Sequence, residues 1–197
     1  RDGYSAFGSS NPWATFPSFS VAWTFSNEKF VNIPWLDNGK LRLSWGQNGN
    51  RSLDNTYLSL ANLTAGAGAT MDYLKADGSL ATDMKYLMMD RLANPNLQWE
   101  KTEAYNIGLD FAILGNRLSG SIDYYIKKTH DMIMAQRLPN FSGFSSIYTN
   151  LGEVQNTGME LMLNSVNFDT KDFRWTTTLN FSYNSNKIKH LYYDYNE

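Results

Sequence analysis

Between Tyr105 and Lys127 the chain repeats with a period of two, and few folds permit that. Tyr105, Ile107, Leu109, Phe111 and Ile113 fall on one face of an extended strand, with Asn106, Gly108, Asp110 and Ala112 on the other. After a turn at Leu114-Gly115-Asn116, the apolar face continues through Leu118, Ile122, Tyr124 and Ile126. Arg117, Ser119, Ser121, Asp123, Tyr125 and Lys127 lie opposite. Long strands with one apolar and one polar side suit the wall of a transmembrane β-barrel. Lipid demands the first side, and a water-filled lumen permits the second.

The same period marks further strands. Phe19, Val21, Trp23 and Phe25 place one near 16–26; Leu41, Leu43 and Trp45 place another near 40–46. The central pair covers 99–113 and 117–129. Met159, Leu161 and Leu163 mark 158–167, and Trp175, Thr177, Leu179, Phe181 and Tyr183 mark 174–186. The expected fold is therefore all-β, an antiparallel transmembrane β-barrel segment of about six strands. Connections differ in length: 27–39 is medium, 114–116 and 168–173 are short, 47–98 and 130–153 are long. Outer-membrane barrels segregate lengths in this way, which puts the long loops outside the cell and the short turns in the periplasm. Within 47–98, Asp77-Gly78 suits a small hairpin, while Leu80, Met84, Leu87 and Met88 match helical spacing with a stop at Asn94-Pro95. The pattern leaves both open.

Composition narrows the partners. A net charge of −2 gives no basic surplus to displace counterions from nucleic acid. With no Cys, disulfides and thiolate sites are excluded. No apolar run reaches the length of a membrane helix, and the mean hydropathy of −0.45 suits a barrel whose strands are half polar. Arg1-Asp2-Gly3 shows no signal peptide, so the chain reads as mature or incomplete.

Inward parity falls to Arg42, Asn106, Asp110, Arg117, Asp123, Lys127, Glu160 and Asn180. These residues either line a solute path or form a solvated ladder that holds the wall. His130 and His190 are too few for a His-based metal cluster. No catalytic constellation stands out, so neither enzyme chemistry nor a cofactor or metal is expected. Trp23, Trp45, Trp99 and Trp175 fit a lipid-facing or girdle role better than sugar stacking. Contacts with solute or partner are expected from the loop aromatics Tyr57, Tyr73, Tyr86, Phe141, Phe144 and Tyr148.

Several phrases, in order, carry a resemblance. They are Arg1-Asp2-Gly3-Tyr4-Ser5-Ala6-Phe7-Gly8, Phe16-Pro17-Ser18 with Ala22-Trp23, Leu41-Arg42-Leu43-Ser44-Trp45-Gly46, and Asn94-Pro95-Asn96-Leu97-Gln98-Trp99-Glu100-Lys101-Thr102. Asn106-Ile107-Gly108-Leu109-Asp110-Phe111, Asn150-Leu151-Gly152-Glu153-Val154-Gln155-Asn156-Thr157-Gly158-Met159-Glu160 and Asn184-Ser185-Asn186-Lys187-Ile188 complete the set. This ordered set resembles the SusC/RagA family of TonB-linked outer-membrane transporters. The resemblance implies a plugged barrel of the 22-stranded type in a Gram-negative outer membrane, contacting outer-membrane lipids. It implies import of oligosaccharides or peptides, energised by the TonB complex, under a SusD-like surface lipoprotein acting as a lid. The loop aromatics would then contact substrate or lid. The TonB box, the plug domain and the ends of the barrel are expected to lie outside this chain. Two other readings remain: a secreted soluble β-sandwich that binds carbohydrate, and a passive porin.

Overall fold

The computed structural model describes residues 1–7, 10–50 and 57–191, so 51–56 of the first expected loop lie outside the described residues. In chain order the strands are β1 (Asp2–Gly3), β2 (Trp13–Ala14), β3 (Ser18–Trp23), β4 (Leu36–Asn50), β5 (Asn62–Leu74), β6 (Leu80–Arg91), β7 (Glu100–Ile113), β8 (Leu118–Arg137), β9 (Ser146–Asp169) and β10 (Arg174–His190). Among the described residues the helical elements are short 3₁₀ turns. The chain divides into two compact units.

The first unit comprises 15–50, 100–130 and 152–197 and holds the wall. Its six strands run in the order β10-β9-β8-β7-β4-β3. The β3–β4, β4–β7, β7–β8 and β9–β10 pairs are antiparallel. Register fixes the faces, because residues directly opposite in a ladder share one. Phe19, Trp45, Tyr105 and Ile126 form one apolar row; Val21, Leu43, Ile107 and Tyr124 form the next; Trp23, Leu41, Leu109 and Ile122 the third. The intervening rows are polar or small: Ser20, Ser44, Asn106 and Tyr125, then Ala22, Arg42, Gly108 and Asp123. In β9 and β10 a shift between Trp175 and Thr176 returns Phe168 to its neighbour Trp175, and the two rings stack 5.9 Å apart.

Most strands outrun the sequence expectation, whereas the one expected at 16–26 is shorter, Ser18–Trp23, and gives way to a 3₁₀ turn at Phe25–Asn27. β4 continues to Asn50, β8 to Arg137, and β9 begins at Ser146. The segment 130–153, expected as a long loop, is mostly strand, with a turn at 138–145. Arg117, expected to open a strand, sits in the preceding turn. That turn is tight: Leu114, Gly115 and Asn116 all have left-handed φ, of 59°, 66° and 61°. The Leu114 N–H donates to the Trp35 carbonyl and the Asn116 N–H to Asp37, which anchors this costly backbone.

The second unit comprises 1–14, 51–99 and 131–151. Here β5 and β6 pair as an antiparallel hairpin, which resolves the hairpin-or-helix alternative in favour of the hairpin. Gly78 supplies the left-handed φ of 83° at its turn, and the Asp77 carboxylate accepts from the Ser79 N–H and hydroxyl at 2.9 and 2.6 Å. A small aromatic core belongs to this unit. Phe7 and Leu97 are wholly buried and Trp99 nearly so. The Trp99 ring lies 5.2 Å from Phe7 and 6.1 Å from Tyr4. Trp99 is therefore a core residue and not part of a girdle. β7 starts only at Glu100, and Trp99 lies in the irregular segment before it, outside the strand parity that points it outward.

Candidate functional site

The polar face of the wall is organised by Arg42. Its guanidinium binds Asp110 on β7 in a fork, through Nε at 2.9 Å and Nη2 at 2.8 Å, and reaches Asp123 on β8 through Nη2 at 2.9 Å. One β4 side chain thus ties three strands. Arginine suits this task because its planar fork matches a carboxylate while another N–H remains for a second acceptor. The cluster needs room above β7, and Gly108 provides it. A Cβ there would fall 2.5 Å from an Asp123 carboxylate oxygen and 2.8 Å from the Arg42 guanidinium carbon. A similar relation links Tyr125 to Gly158, where the Tyr125 ring occupies the space a side chain would need.

Asp123, Glu160 and Asn180 line one shallow depression of about 350 Å³ with Ser121 and Ser182. Lys127 points its ammonium toward the Tyr125 ring, 5.1 Å from its centre. The structure therefore brings Arg42, Asp110 and Asp123 into direct contact, gathers Glu160 and Asn180 beside Asp123, and puts Asn106 in the row adjoining Arg42. Arg117 stays apart in its turn, where its carbonyl accepts from the Val166 N–H. This arrangement can staple strands and present polar groups. Among the described residues no group of His, Asp or Glu is placed to hold a metal.

The apolar face has no protein cover within the wall unit. Phe19 is 64% exposed, Ile107 47% and Phe181 51%. A soluble fold would bury such a face, as the sandwich reading requires. The run from Tyr105 to Ile113 covers about 27 Å at about 3.4 Å per residue. At a tilt near 40° that is about 21 Å, close to the ~25 Å apolar band of an outer-membrane barrel. Polar partners stand at both ends. Gln47 and the Tyr105 hydroxyl donate to Glu103 at one end, and the Trp23 indole donates to Glu28 at the other.

The loop aromatics do not converge. Tyr57 and Tyr73 are about half exposed, and Phe141 is 93% exposed at the 138–145 turn. Phe144 and Tyr148 are half-buried, and the Tyr148 carbonyl accepts from the Asn94 amide. Tyr86 lies in β6, its side chain outside the described residues. Asn150 stands in one of the family phrases, but the pattern gives no sign of its bonding role. Its side chain pairs with Gln98 and also donates to the Asp131 carbonyl. Alternation puts Gly108 on the polar face without revealing the close approach there, which a glycine inside a strand can signal.

Ladder, faces and band together define a segment of antiparallel transmembrane β-barrel wall. The TonB dependent receptor-like, beta-barrel family matches residues 1–197, and the chain belongs to that family. TonB-dependent receptor P3 of Formosa agariphila is 38% identical over 97% of this chain, and TonB-dependent receptor SusC of Bacteroides thetaiotaomicron is 36% identical over 96% of it. The chain spans about 18% of the length of each of these relatives. Among solved structures it is similar to the RagAB peptide transporter, with a TM-score of 0.77 and 33% identity. The RagAB peptide importer in its open-open state gives 0.81 and 32%. Each match covers 98% of this chain and 20% of the solved one.

Proposed function

We propose that this chain forms part of the barrel wall of a TonB-dependent outer-membrane importer that takes up oligosaccharides or peptides. In this reading a SusD-like surface lipoprotein covers the barrel, and the TonB complex energises passage through a plug. The observation that supports it most directly is the two-faced ladder. Between the Tyr105 and Leu109 rows one face offers apolar side chains to its surroundings, and the other carries the Arg42–Asp110–Asp123 cluster. The polar face then borders the lumen, where Lys127, Glu160 and Asn180 contact water and passing solute. The strands that outrun the apolar band, β8 to Arg137 and β9 from Ser146, rise into the extracellular space. Their turn presents Phe141 toward lid or solute.

Removing residues 139–144 from the full-length protein tests this. Surface abundance should persist, since the wall ladder lies in other residues. Co-purification of the lipoprotein, or uptake of a labelled oligosaccharide or peptide, should fall. Normal co-purification and uptake at normal abundance would assign the binding surface elsewhere.

A further inference from the structure

At one end of the apolar face the structure holds a trough of about 370 Å³. Leu43 and Ile107, opposite one another in the ladder, form its floor. The longer rings of Phe19, Trp45, Tyr105 and Tyr124 form its walls. Register continues the same face beyond the trough. Past the Tyr105–Ile126 pair comes Glu103 opposite Lys128, then Lys101 opposite His130. That first step is about 7 Å along the strand. Glu103 is engaged by Gln47 and by the Tyr105 hydroxyl, and Lys128 is exposed. The trough therefore ends beneath a row that pairs the Lys128 ammonium with the Glu103 carboxylate.

We propose that this trough and Lys128 together bind one phosphate-bearing lipid of the bilayer. The acyl chain lies over Leu43 and Ile107 between the rings, and the phosphate meets the Lys128 ammonium. The proposal rests on the reading that this face meets lipid. Two features of the site favour an amphiphile over a protein partner. The trough is continuous with the apolar band, so a chain already in the bilayer enters it without crossing water. Its polar end holds Lys128 opposite Glu103; Gln47 and Tyr105 hold the carboxylate, and the exposed Lys128 remains as the point-charge phosphate donor. Trp45 and Tyr105 stand in the row next to this end, where rings with one polar edge prefer to sit. A zwitterionic lipid could fill the trough equally well, but its own cation would oppose Lys128. Selectivity therefore has to come from the head group.

The test uses the full-length protein in phosphatidylcholine vesicles doped with either brominated-chain phosphatidic acid or brominated-chain phosphatidylcholine. Trp45 emission is taken as the difference between the protein and its Trp45→Phe variant. Brominated phosphatidic acid should quench Trp45 at about fivefold lower mole fraction than brominated phosphatidylcholine, the weight of one lysine at a charged lipid head. Lys128→Gln should abolish that preference and leave quenching by phosphatidylcholine unchanged; the exposed position makes folding tolerant of the change, which heat-modifiable gel mobility checks. Equal quenching by the two lipids, or a preference that survives Lys128→Gln, would overturn the lipid site while leaving the membrane reading intact. Absence of quenching by either lipid would show that protein covers this face, and would bring down both.

Discussion

Asn150 pairs with Gln98 as a strand neighbour would. Its side-chain oxygen accepts from the Gln98 N–H at 3.0 Å, and its amide donates to the Gln98 carbonyl at 2.9 Å. The same amide donates to the carbonyl of Asp131 at 2.6 Å, where φ is 58° and the backbone departs from a regular strand. A side chain thus supplies ladder bonds where the backbone cannot.

Replacing this residue should loosen that corner. Asn150→Asp keeps the acceptor but sets a carboxylate against two carbonyl oxygens. Leaving those groups unpaired costs about 1–3 kcal/mol. Limited proteolysis of the full-length protein should reveal faster cleavage within 94–99 or 131–150. Unchanged cleavage would mean that water replaces the amide at no cost.

Gly108→Ala should disturb the wall more than its single methyl suggests. The added carbon meets both Asp123 and Arg42, so the ion cluster must shift. Overpacking of this kind costs about 1–3 kcal/mol. Urea unfolding of the full-length barrel in vesicles measures it, and Gly120 provides no substitute control because a Cβ there would meet the Met162 backbone.

Phe111 lies between Gly39 and Gly120 in the ladder, on the apolar face. Phe111→Arg should destabilise the barrel by about 2–4 kcal/mol, since a guanidinium there loses its water. Glu160→Gln on the polar face should stay within about 0.5 kcal/mol. Equal costs in urea titration would show that the apolar face does not meet lipid.

The β5–β6 turn should respond to acid. Hydrogen bonds from the Ser79 hydroxyl and backbone lower the Asp77 carboxyl below its ordinary 3.8. A depressed folded value stabilises the turn above the unfolded value and loses that contribution as pH falls through the folded one. Hydrogen exchange at Ser79, corrected for its intrinsic rate, should stay slow at neutral pH and speed up below the ordinary aspartate range. Asp77→Asn should remove the pH dependence.

The band of strands facing two different media was legible because alternation is strict there. Tyr105 to Ile113 reads as strand, and its partners in β4 and β8 follow from the same rule. Met132 to Arg137 lacks the alternation, so the continuation of β8 there reads as loop although the chain remains extended. Leu80, Met84, Leu87 and Met88 fit a helical stripe, and only pairing with β5 decides for strand. Among the polar-face candidates, parity found Arg42, Asp110 and Asp123 separately. Their meeting depends on the cross-strand register and on Gly108, which a one-dimensional pattern does not contain.

The vacancy at Gly108 makes three positions on three strands answerable to one another. A side chain at 108 becomes tolerable only when the residue at 42 or 123 shortens, and a longer acid at 123 has no room to grow toward β7. In sequence space 42, 108, 110 and 123 should therefore vary as a set. A library that randomises them together should recover larger residues at 108 only beside a shortened residue at 42 or 123.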